Sequence, residues 1–61
     1  MCEANAYLLK EGREELILES VDLMEPEKEE VRLVNIFGEQ KVVKGKIKRL
    51  ELGKHRVILE E

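Results

Sequence analysis

Val31-Arg32-Leu33-Val34-Asn35-Ile36-Phe37, followed at once by Gly38-Glu39, is the stretch that decides the fold. Its residues alternate so that Val31, Leu33 and Phe37 share one side and Val34 and Ile36 the other, the period-two signature of a strand ended by a turn. Both faces are apolar. In a domain this small a two-sided apolar strand requires a cover on its second side, and a second copy of the chain is the expected one. Val34, Ile36 and Ile58 are the surplus apolar residues that such a contact would use.

The same pattern extends in both directions. Upstream, Pro26 lies in an acidic turn, and residues 14–24 are ambiguous: Ile17, Val21 and Met24 with the early Glu residues fit a helix, while the strand reading, which is preferred, needs a bend or bulge near Glu19-Ser20, because Leu16 and Leu18 have one parity and Val21 and Leu23 the other. Residues 3–9 alternate Ala4, Ala6, Leu8 against Asn5, Tyr7, Leu9 and end at a turn around Gly12. Downstream, residues 41–52 read as a strand pair or one strand broken at Gly45, with Leu50 and Leu52 returning to the core. Gly53-Lys54 makes a two-residue hairpin turn, and residues 55–60 close the domain with Val57 and Leu59 inward and Ile58 outward. The expected fold is all-β: a small SH3-like or Sm-like barrel of five to seven short antiparallel strands, homodimeric.

With 61 residues, one domain spanning 1–61 is the ceiling, near the lower limit for unaided folding. A single cysteine forms no internal disulfide and no intrachain structural zinc site, so self-association is the expected support. Charged residues reach 41%, but the 43% hydrophobic content falls in strand-like runs, which sets the chain apart from a disordered one. The abundance of Glu, Lys and Arg also suits a warm-adapted protein. No apolar run approaches a membrane span or a signal segment, so the expected location is the cytoplasm, with no membrane partner. A net charge of −3 argues against nonspecific phosphate binding.

One His, one Ser and one Cys, far apart in sequence, assemble no nucleophilic triad or dyad, and the glycines occur singly, so no enzyme activity is expected. Cys2 stands out. Directly after Met1, it combines a soft sulfur with main-chain nitrogens, a donor set that favours square-planar Ni(II) or Cu(II). One chain offers too few ligands, and two copies about a two-fold axis complete four. The alternative is a small buried hydrophobe on the parity of Ala4 and Ala6. His55 is a second ligand or an exposed polar residue at a strand start. Lys44, Lys46, Lys48 and Arg49, with Lys41, Lys54 and Arg56 nearby, form either an RNA-binding strip or a solvated strand face, without aromatics interleaved for stacking.

Met1-Cys2-Glu3-Ala4, Tyr7-Leu8, the Gly12 turn, Asn35-Ile36-Phe37-Gly38 and the closing Val57-Ile58-Leu59 together resemble the CooT family, small proteins associated with nickel handling for carbon monoxide dehydrogenase. The resemblance runs nearly end to end, but only the Met-Cys start is functionally specific. It implies Ni(II) held between the two chains of a homodimer by Cys2, one site per dimer, and a metalloenzyme client. Related sequences have been labelled RNA-binding. With His55 alone, bulk metal storage is not expected.

Overall fold

The computed structural model describes residues 3–61. Six strands follow in order: β1 (Ala4–Lys10), β2 (Arg13–Pro26), β3 (Glu30–Asn35), β4 (Gln40–Lys44), β5 (Lys46–Glu51) and β6 (Arg56–Glu60), with one turn of 3₁₀ helix at Leu52–Lys54 before β6. They form one sheet in the order β4-β3-β2-β1-β6-β5. All pairs are antiparallel except β1 with β6, which run parallel, so the sheet is mixed where a wholly antiparallel one was expected. The reason is topological: β6 returns from its hairpin with β5 and inserts beside β1 in the same direction.

The edge strands β4 and β5 are consecutive in the chain, separated only by Gly45. The sheet is therefore coiled on itself. β2 makes the complementary bend at Ser20, which has φ 57° and directly precedes Val21, the residue that pairs with both Ala4 of β1 and Asn35 of β3. Asn5 Oδ1 accepts the Ser20 amide at 3.2 Å and holds the bend. The bulge expected from the parity switch near Glu19-Ser20 is present, and the register shifts beside it let Leu18 and Val21 pack on the same core.

That core is Ala6, Val21, Val31, Leu33, Val43, Val57 and Leu59, drawn from β1, β2, β3, β4 and β6. Each fully buried aliphatic side chain contributes about 1.5–3 kcal/mol. Leu33 and Leu59 are wholly inaccessible, as the inward parity of each strand requires.

Four expectations are corrected. β3 ends at Asn35, so Phe37 leaves the strand parity and stands in the turn, 73% exposed, instead of joining Val31 and Leu33. Asn35 causes this: its Oδ1 accepts the amides of Phe37 (3.1 Å) and Glu39 (2.8 Å), a side-chain substitute for the ladder. Leu50 and Leu52 stay half or mostly exposed; Leu50 pairs with Val57 but lies on an edge strand, and Leu52 falls in the 3₁₀ turn that replaces the two-residue hairpin turn. Ile58, expected outward and free, is fully buried on the outer face. It lies in register between Tyr7 and Arg49, where Arg56 stacks 4.8 Å from the Tyr7 ring centre and Glu14 and Glu51 tie Arg49 and Arg56 together. Half-exposed ion pairs add little by Coulomb attraction. Their stems act here as the cover over Ile58.

Candidate metal centre

Cys2 lies outside the described residues, and the structure fixes what the chain meets immediately after it. Ala4 opens β1 opposite Val21, and the Asn5 amide donates to the His55 carbonyl oxygen at 2.9 Å. His55 has left-handed backbone angles (φ 56°, ψ 47°), its amide donates to Leu52 at 3.2 Å, and its side chain is exposed. The parallel pairing of β1 and β6 thus brings the sole histidine to the end of the sheet where the chain enters β1.

Around Ala4 lies an apolar groove of about 190 Å3, bounded by Leu23 and Met24 on β2, Leu50 on β5, Leu52 and Val57. Leu23, Leu50 and Leu52 are 44%, 48% and 70% exposed. The sequence pattern alone pointed to Val34, Ile36 and Ile58 as spare apolar residues; of these only Ile36 is exposed, and Val34 is half-buried. Edge position exposes Leu50 and the 3₁₀ turn exposes Leu52, neither visible in parity, and Leu23 of β2 joins them in the groove. Such a cluster beside the chain entry is the kind of surface a second protein covers.

Among the described residues no three His, Cys, Asp or Glu side chains gather closely enough to hold a metal ion.

The basic residues do not converge as a single uncompensated strip. Lys44 ends β4 and Lys46 begins β5 on either side of the Gly45 bend, Lys48 pairs with Glu60 at 3.5 Å, and Arg49 is shared between Glu14 and Glu51. Among the described residues no helix is long and apolar enough to cross a membrane.

Comparison with known proteins places this geometry. An uncharacterized protein of Methanothermobacter thermautotrophicus is 38% identical over 60 residues, 98% of this chain and 89% of that protein. One of Methanocaldococcus jannaschii is 30% identical across 98% of both chains. A crystal structure from Carboxydothermus hydrogenoformans assigned to CooT is similar with a TM-score of 0.90 and 53% identity, covering 98% of this chain and 97% of that one. The family model described as CO dehydrogenase accessory protein CooT matches residues 1–60, and the chain belongs to that family.

Proposed function

We propose that the protein is a Ni(II)-binding accessory protein, with the metal as its cargo, held between two copies of the chain by Cys2 of each and released to a carbon monoxide dehydrogenase. The observation that carries this reading is the Met1-Cys2 start in a chain of the CooT family. The thiolate and a main-chain nitrogen of one chain form a chelate, and a second chain supplies the remaining donors. The exposed Leu23, Leu50 and Leu52 beside Ala4 support the pairing, since burying them against a partner brings the two chain entries together. The described residues serve as the scaffold: β1, clamped between β2 and β6, sets where the donors leave the sheet.

Native mass spectrometry with and without nickel tests it. One Ni(II) per dimer is the expected stoichiometry, Cys2→Ser removes it, and Leu50→Glu with Leu23→Glu yields monomers with weakened binding. Cys2→Ser protein that binds nickel as well as the parent refutes the proposal.

A further inference from the structure

We propose that a second groove, between the first half of β2 and the Phe37 turn, receives an extended, lysine- or arginine-bearing segment of a partner protein that adds to β2 as an extra strand. β2 is long and bent; before Ser20 it pairs with β1 on one edge, and its other edge has no backbone partner among the described residues until Ile36 donates to the Ser20 carbonyl at 3.0 Å. The groove there has a volume of about 300 Å3, and Leu16, Ile17, Leu18 and Glu19 all line it. A β-bulge opposite Ala6 and Tyr7 packs Ile17 and Leu18 both against the core, and the groove runs along this stretch beside the edge that no strand of the described residues pairs. Unpaired edge amides and carbonyls, flanked by apolar side chains, are what strand addition uses.

The opposite wall is Phe37, held out by a fixed turn. Buried Asn35 accepts two amides through Oδ1, its Nδ2 donates to Glu39 Oε1 at 2.7 Å, and its own amide donates to the Glu39 carbonyl at 3.0 Å. An aromatic ring presented on an ordered loop contributes to binding without first being immobilised. The charged residues lining the groove, Glu19 and Glu39, are both acidic, and this selects a basic occupant. The segment rests on the accessory reading only for the identity of the protein that carries it. Cys2 and the Leu23-Leu50-Leu52 groove take no part.

The test is an amide NMR titration of the full chain with an octapeptide alternating lysine and valine, alongside one alternating glutamate and valine. The expected result is shifts at residues 16–19 and 37–39 with the lysine peptide and none with the glutamate peptide. Phe37→Ser weakens binding by about tenfold or more, as for an aromatic hot spot, and Glu19→Lys weakens it about threefold or more by reversing a rim charge. Cys2→Ser leaves it unchanged, so failure of nickel binding does not touch this result. No shifts, equal binding of both peptides, shifts confined to Leu23, Leu50 and Leu52, or indifference to Phe37→Ser overturns the proposal. So does a change of native mass in Phe37→Ser, which assigns the groove to a second copy of the chain.

Discussion

Gly45→Ala should cost this protein much of its stability. At φ 135° the backbone occupies a region that L side chains rarely adopt, and a Cβ there would collide with the Glu60 carbonyl oxygen and lie 2.8 Å from its carbonyl carbon and 2.9 Å from the Glu61 Cα. All three are main-chain atoms, so no side chain can rotate away. Backbone strain of about 1–3 kcal/mol and a packing clash of about 1–3 kcal/mol sum to roughly 2–6 kcal/mol. A domain of this length holds about 3–9 kcal/mol in all, at roughly 0.05–0.15 kcal/mol per residue. Gly12→Ala is the control, because Gly12 also has positive φ (79°) but nothing within 4 Å of its added carbon, leaving a cost of about 1–2 kcal/mol from the backbone alone. Urea unfolding followed by circular dichroism, at one fixed protein concentration, measures both. Gly45→Ala within about 1 kcal/mol of Gly12→Ala would refute the claim that the strand crossover needs a missing Cβ.

Asn35→Ala should cost about 2–3 kcal/mol, since two amides lose their acceptor, and hydrogen exchange at Phe37 and Glu39 should accelerate together. Ile58→Ala should cost about 2–5 kcal/mol and Ile36→Ala under about 1 kcal/mol, one being fully buried and the other exposed; equal midpoints in urea would show that the ionic cover over Ile58 does not exclude water. Nickel affinity should fall as pH is lowered, because thiolate and nitrogen donors must give up protons before they bind. A titration by absorbance across pH that shows constant affinity would exclude Cys2 as a ligand.

Most strands were readable because parity is a local property; residues 14–24 also fitted helical spacing, and once they are a strand the switch between Leu18 and Val21 has to be absorbed within the intervening residues. Phe37 was misplaced because its exposure depends on Asn35 turning its side chain to the backbone, a choice that periodicity does not register. Ile58 was misplaced for a non-local reason. Its cover comes from β1, β2 and β5, whose assembly around β6 follows from a parallel pairing that no run of residues announces. The leucine groove beside Ala4 has the same origin: Leu23 and Leu50 are far apart in sequence and meet only because the sheet coils. Cys2 stands out by its place in the chain and carries the proposal on that ground, whereas the surroundings of the β1 entry, including His55, required the fold.

The side-by-side placement of the first and last strands also governs when this domain can form. A chain emerging from the ribosome in order has β1 through β5 available while the slot between β1 and β5 stands empty, and residues 56–60 supply Val57 and Leu59, two of the core side chains. Contacts that span nearly the whole sequence must therefore close at once, after synthesis of the final strand, which makes assembly a single late event and slows it relative to a hairpin-by-hairpin sheet. Loss of the last six residues would remove the wedge between two halves, leaving a collapsed remnant rather than a slightly shorter version of the same sheet.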